Sequence, residues 1–223
     1  MLENKNILMV FAHPDDETIF GWPIFQNEKI NKFYLCCSTD ELNPKRSWCA
    51  HRKNTLIKIC NDNNTKLWTA PFPSEFYMLN SRRKPGQPKD EIGDSTSDIR
   101  IFKKIIIDNI NEIIKTNNID YIFTHNPYGE YGHLDHIFLF DTIFKNIDLP
   151  ILITDITLRT NWDNPIINER SKNFFYKNKI KEDCLINIEI YERNKKRYLD
   201  DGVWTWSRDN QEEFKKCNLY LIE

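Results

Sequence analysis

The chain has 223 residues with 31 basic and 33 acidic side chains, a formal net charge of −2. This balance argues against a nucleic-acid binder built on a broad basic field and against an acidic tail protein. With 40% hydrophobic and 29% charged residues, the composition is that of an ordinary globular protein, long enough to bury its own core.

Taken in chain order, Ile7–Ala12 is an apolar run of strand length, far short of the ~18 residues a membrane span needs. Charged residues on both sides make it a poor signal peptide. The spacing predicts a short helix over Thr18–Asn27, kinked or restarted at Pro23, and a second strand at Lys32–Ser38. A helix is expected over Arg46–Cys60 and a short strand at Leu67–Ala70. Residues 80–97 carry prolines, glycines and mixed charge without an apolar period; a loop of this length suits a lid or substrate rim. Arg82-Arg83-Lys84 within it is read as a solvated charged stretch, with an anionic substrate as the alternative.

The clearest helix is Asp98–Thr116, where Ile99, Phe102, Ile106, Ile110 and Ile113 form one stripe and Ser97 or Asp98 suits the cap. A strand at Asp120–Thr124, a helix at Leu134–Phe144 and a strand at Pro150–Thr154 follow. This alternation predicts an α/β fold, a mostly parallel sheet with helices on both faces. Beyond Asp155 the pattern blurs into dense aromatics, read as core, with Asn218–Ile222 as an edge strand. One domain is expected over 1–223, its α/β core at about 1–155 and a C-terminal extension at about 156–223. The six cysteines form no C-x-x-C pair, so reduced thiols in the cytoplasm are the expectation.

Four of the five histidines fall in two segments, each following a strand. The first is Ala12-His13-Pro14-Asp15-Asp16-Glu17. The second runs from Thr124-His125-Asn126 through Tyr131-Gly132-His133-Leu134-Asp135-His136. In open α/β sheets, ligands bind beyond the carboxyl ends of the strands. Singly, each residue has a bland reading: an Asp caps a helix, a lone His13 is structural, and His133 and His136 flank a turn. Together, an imidazole from each segment and one carboxylate make a three-ligand site for a divalent metal with a position left for water. A spare carboxylate and a spare imidazole then supply a general base and an acid.

The His-Pro-Asp-Asp-Glu run and the Tyr-Gly-His-x-Asp-His run resemble the LmbE-like (PIG-L) family of metal-dependent de-N-acetylases. The resemblance implies a Rossmann-like three-layer fold and a zinc- or iron-dependent hydrolase that removes acetyl from a small N-acetylglucosamine-type sugar conjugate; the balanced charge and the lack of a long apolar run predict no nucleic-acid partner and no transmembrane segment. The resemblance also implies His13, Asp16 and His136 as metal ligands and Asp15 as general base. His133, protonated, would stabilise the oxyanion and protonate the leaving amine, with Asp135 orienting its ring. Tyr131 would close over substrate, and Arg52 matches a substrate-facing arginine. Two departures stand out: Thr55 replaces an expected acidic residue, and Leu134 an expected proline. Two other functions share the donor set. One is a non-haem iron oxygenase built on a facial triad; the other is a non-catalytic module stabilised by a metal. His51 is expected to face solvent and Glu17 to favour a helix start.

Overall fold

The computed structural model describes residues 2–38, 51–70, 97–156, 172–175, 177, 180–204 and 216–222. The order of elements is β1 (Asn6–Phe11), α1 (Asp16–Ile19), α2 (Trp22–Phe25), β2 (Asn31–Cys36), α3 (Arg52–Asp62), β3 (Thr65–Thr69), α4 (Ser97–Asn117) and β4 (Tyr121–Thr124). It continues with α5 (Gly129–Gly132), α6 (Leu134–Asn146), β5 (Ile151–Thr154), β6 (Ile180–Leu185), α7 (Ile188–Asp200) and β7 (Lys216–Ile222). The strands form one seven-stranded sheet in the order β3-β2-β1-β4-β5-β7-β6.

β1 pairs in parallel with β2 on one side and β4 on the other; β2 with β3 and β4 with β5 are also parallel. The strand order therefore reverses at β1/β4, where a crevice opens at the carboxyl ends of both strands. Side chains alternate across the sheet with the period of a strand. Ile7, Met9 and Phe11 enter one core with Phe20, Trp22, Leu56, Ile59 and Tyr198. Leu8, Val10 and Ala12 enter the other with Phe102, Ile106, Ile110, Leu139 and Ile143. α1, α2, α3 and α7 thus cover one face, and α4 and α6 the other. The expected α/β architecture is present.

The structure refines the first expected helix and departs from the expected position of the last strand. Residues 18–27 hold the end of α1 and all of α2, with Pro23 in the first turn of α2, so the restart expected there is present. The break falls at Gly21, where a Cβ would sit 2.8 Å from both Cα and O of Glu17. The helix expected from Arg46 begins, among the described residues, at Arg52; residues 46–50 lie outside them, as do 80–96 with Arg82-Arg83-Lys84. The 218–222 strand is not at an edge: β7 lies between β5 and β6, antiparallel to both. The true edge, β6, has the sequence IKEDCL. With one face solvated and charges on it, as suits an edge, it offers no apolar run to find.

Candidate metal centre and its surroundings

The two motif segments leave the sheet on adjacent strands, where Val10 pairs with Thr124 and the Thr124 hydroxyl donates to the Val10 carbonyl at 2.7 Å. One residue further, the Ala12 N–H donates to Nε2 of His125 at 3.1 Å. This bond stitches the two strand tips together and assigns the ring. Its Nε2 is an acceptor, and Nδ1 carries the proton donated to Glu130 Oε2 at 3.0 Å.

After β1 the chain turns abruptly. Asp15 has φ 88°, in the left-handed region, and caps α1 through its carbonyl, which accepts from Thr18 and Ile19. Asp16 folds its carboxylate back onto the His13 N–H, 2.8 Å away. Both aspartates and Glu17 are buried. Burial and the charge of Asp15 push the Glu17 carboxyl up to about 7.

After β4, Glu130 adopts φ 55° and turns its buried carboxylate inward. Oε1 accepts the Asn126 N–H at 3.0 Å, and Oε2 accepts Nδ1–H of both His125 and His136, the latter at 2.6 Å. Burial opposes its charge, yet these two rings hold its pKa down, to about 2. His136 stacks on His125 at 3.6 Å between ring centres. Burial lowers its own pKa to about 4, so the ring is neutral at pH 7.

A neutral His136 that donates from Nδ1 has a lone pair on Nε2. That atom is buried and has no hydrogen-bond partner among the described residues. It faces Asp16 Oδ2 at 3.5 Å. On the other side of Asp16, His13 Nδ1 also lies 3.5 Å from Oδ2, while His13 Nε2 meets Asp135 Oδ2 at 3.0 Å. Each imidazole therefore has one nitrogen turned to a carboxylate behind it and the other turned to Asp16. The lone pairs of His136 Nε2 and Asp16 Oδ2 converge without a proton between them and repel, and a cation relieves this. Carboxylate-backed histidines around a third donor are the arrangement of a histidine metal site with its supporting carboxylates. The residues fit a divalent metal. Ligand atoms of His13, His133 and His136 lie within 4.8 Å of one another, as do those of Asp16, His125 and His136. His125 is the weaker donor, because the Ala12 N–H occupies its Nε2. Between Asp16 and Asp135, His13 is held up at about 10 despite burial.

The remaining expected residues surround this set. His133 caps α6, its Nδ1 accepting the Asp135 N–H at 3.2 Å, so Nε2 carries its proton. Burial, the largest cause, pushes its pKa well below the usual range. The Asp135 carboxylate is nearer His13 than His133, whose Nδ1 is 3.9 Å away. The Tyr131 ring packs 5.5 Å from that of His133 and 5.7 Å from that of His136. Arg52 is 1% exposed; its guanidinium pairs with Asp15 Oδ2 at 2.9 Å and donates to the Pro14 carbonyl. Thr55 donates to Asp201 Oδ2 at 2.5 Å, so a carboxylate from the end of α7 stands beside a position where an acidic residue was expected. His51 is exposed.

Sequence reasoning assigned no role to His125 and Glu130. The only signal was their presence in the second segment, and nothing in their spacing says that Glu130 turns inward. Nor does it point to Tyr198, whose hydroxyl donates to Glu17 Oε1 at 2.9 Å and accepts the Asp15 N–H at 3.0 Å.

A family model described as PIG-L, GlcNAc-PI de-N-acetylase, matches residues 8–145. A mimivirus protein, the uncharacterized L374 of Acanthamoeba polyphaga mimivirus, is 24% identical over 143 residues, covering 58% of this chain and 52% of its own. The chain thus spans about half the length of that relative. Among solved structures, a deacetylase–teicoplanin complex from the teicoplanin biosynthesis pathway aligns over 97% of this chain and 98% of its own, with TM-score 0.61 and 12% identity. A zinc-inhibited form of the teicoplanin deacetylase Orf2 aligns over 97% of each chain, with TM-score 0.62 and 13% identity. The A40926 pseudoaglycone deacetylase Dbv21 aligns over 99% of this chain and 98% of its own, with TM-score 0.60 and 11% identity.

Proposed function

Because the chain belongs to the PIG-L family of GlcNAc-PI de-N-acetylases, we propose that it is a metal-dependent hydrolase of an N-acetylated amino-sugar conjugate, releasing acetate and the free amine. The observation that carries this reading is the buried, unbonded Nε2 of His136 facing Asp16 Oδ2 at 3.5 Å, with His13 on the other side. His13, Asp16 and His136 would hold a divalent ion, which would supply Lewis acidity to the acetyl carbonyl and to a water.

The chain's own groups do the rest. The Asp15 carboxylate accepts the proton of the attacking water while Arg52 holds it in place. Water oxygen bonds to the acyl carbon, the C–N bond breaks, and a proton passes to the sugar nitrogen. His133 aims Nε2–H at the developing oxyanion, since its Nδ1 is engaged by the Asp135 N–H; a donor preset for that charge is usually the largest contribution to such catalysis. The Asp135 carboxylate steadies His13, and Tyr131 lines the approach beside His133 and His136. Arg52 serves Asp15 in this reading and does not meet the sugar directly. The C-terminal elements share the sheet and the core, which supports 1–223 acting as one catalytic unit. No helix among the described residues is long and apolar enough to cross a membrane, which favours a small diffusible conjugate. Among the described residues, Cys36, Cys37, Cys60 and Cys184 are reduced thiols, in keeping with the cytoplasm.

The test is acetate release from N-acetylglucosamine, its 1-phosphate, its nucleoside diphosphate conjugate and chitobiose, with protein loaded separately with Zn2+, Fe2+ or Co2+. Asp15→Ala should retain metal yet lose about 10²–10⁴ in turnover, whereas His13→Ala should lose the metal. Near-wild-type turnover in Asp15→Ala, or oxygen uptake by the iron form without acetate release, would refute the assignment.

A further inference from the structure

The Asp15 peptide is held by a residue distant in sequence. Its N–H is shared by Glu17 Oε2 and Tyr198 Oη, each 3.0 Å away. The Tyr198 hydroxyl in turn donates to Glu17 Oε1 at 2.9 Å, and the Thr18 hydroxyl donates to the same oxygen at 2.8 Å. These bonds form a closed ring of Asp15 N–H, Glu17 carboxylate and Tyr198 hydroxyl, with all three residues buried.

The ring has a job to do because Asp15 is strained. A side-chain-bearing residue at φ 88° lies in a region that disfavours L-residues, and such a conformation persists only when its surroundings over-determine it. Arg52 fixes the carboxylate end and the ring fixes the peptide end. Tyr198 reaches the site because α7 presents Tyr191, Asn194 and Tyr198 as one buried stripe and leans on α3. There Asn194 Oδ1 accepts from Asn63 at 3.2 Å, and Arg197 pairs with Asp62. Position 198 lies beyond residues 8–145, which carry the family match.

We infer that Tyr198 is a positioning residue for the reaction: through Glu17 and the Asp15 N–H, its hydroxyl sets the direction of the Asp15 carboxylate. This rests on Asp15 acting as general base in the deacetylase reading. Without the hydroxyl, the Asp15 N–H retains Glu17, but Glu17 loses one of the two hydroxyl donors to Oε1 and is free to rotate. A displacement of about 1 Å at a reacting group is enough to slow turnover by up to about 100-fold. The ring of tyrosine would remain in phenylalanine, so the packing of residue 198 near Trp204, 5.9 Å away, is kept.

The experiment compares wild type and Tyr198→Phe by two readouts. The first, hydrogen exchange of peptides covering residues 12–20 in metal-free protein, does not depend on any substrate. Exchange there should quicken about tenfold or more, with peptides of α4 unchanged. The second is steady-state acetate release, where kcat should fall about 10- to 100-fold with KM within twofold and bound metal at one equivalent. Exchange unchanged in 12–20, or quickened there with kcat unaltered, overturns the inference; so does a loss explained by KM or by missing metal. If wild type releases no acetate from any conjugate, the deacetylase reading fails, and the exchange result still decides whether Tyr198 holds the Asp15 turn.

Discussion

Replacing Glu130 by glutamine tests the reading of the metal centre where the sequence offered least guidance. The carboxylate accepts three N–H groups: Asn126 on Oε1, and His125 and His136 on Oε2. Glutamine keeps the shape but has one acceptor oxygen and an amide that can only donate. If its oxygen serves the rings, its NH2 confronts the Asn126 N–H; if it serves Asn126, the NH2 confronts both imidazoles. The second arrangement drives the proton of His136 from Nδ1 to Nε2 and removes the lone pair aimed at Asp16. Loss of such a supporting carboxylate weakens metal binding by about 10- to 100-fold, or about 1.4–2.8 kcal/mol. The confronted donor adds about 1–3 kcal/mol of lost fold stability. Competition against a chromophoric chelator at fixed pH measures the first quantity, and urea denaturation of the metal-free protein the second. A variant that loses stability yet binds Co2+ within twofold of wild type would show that Glu130 only packs, and the tautomer argument would fall.

Three further outcomes are expected. Gly21→Ala forces a Cβ against the Glu17 backbone at 2.8 Å and should lower stability in urea by about 1–3 kcal/mol; equal midpoints would place the break between α1 and α2 elsewhere. Lys32 is buried against the Phe25 carbonyl, 2.9 Å away, and burial lowers its pKa from 10.5 to about 8. The unfolded chain then binds more protons between pH 8 and 10.5, so stability rises with pH across that window. Lys32→Met should be more stable than wild type at pH 7, with the gap narrowing towards pH 10.5; a gap independent of pH would contradict the shift. Asn218→Ala removes the side chain that donates to Asp155 Oδ2 at 2.7 Å, leaving a buried carboxylate with one acceptor bond fewer. A loss of about 1–3 kcal/mol is expected in urea, and no loss would show that the backbone bond from Asn218 to Oδ1 suffices.

The parts of the fold legible in the sequence are those in which burial is written as apolar residues. β1, β2, β4 and β5 are short apolar runs because parallel strands covered on both faces need them, and α4 shows its stripe because only one side meets the sheet. The elements that escaped notice are held differently. α7 buries Tyr191, Asn194 and Tyr198, a stripe stabilised by hydroxyl and amide bonds that hydrophobic periodicity does not register. β6 is an edge. The site was legible as two clusters of histidine and carboxylate at strand ends, because a metal needs donors of those types. Its polarity was not: which nitrogen of each ring faces inward depends on the inward turn of Glu130, which spacing does not reveal, and on Asp135 and the Ala12 N–H, which meet His13 and His125 from more than a hundred residues away. Arg52 shows the same limit, since a buried cation beside Asp15 reads in sequence like any helix arginine.

The position of β7 sets the order in which the molecule can be completed on the ribosome. Until residues 216–222 emerge, the outer edge of β5 has no neighbour, β6 has nothing to pair with, and an unsatisfied ladder of amides and carbonyls is open to other chains. The nascent protein is therefore most prone to self-association before these residues emerge, when the parallel strands are already made. Truncating the chain after residue 215, and asking whether the product clings to chaperones, would expose that vulnerable state directly.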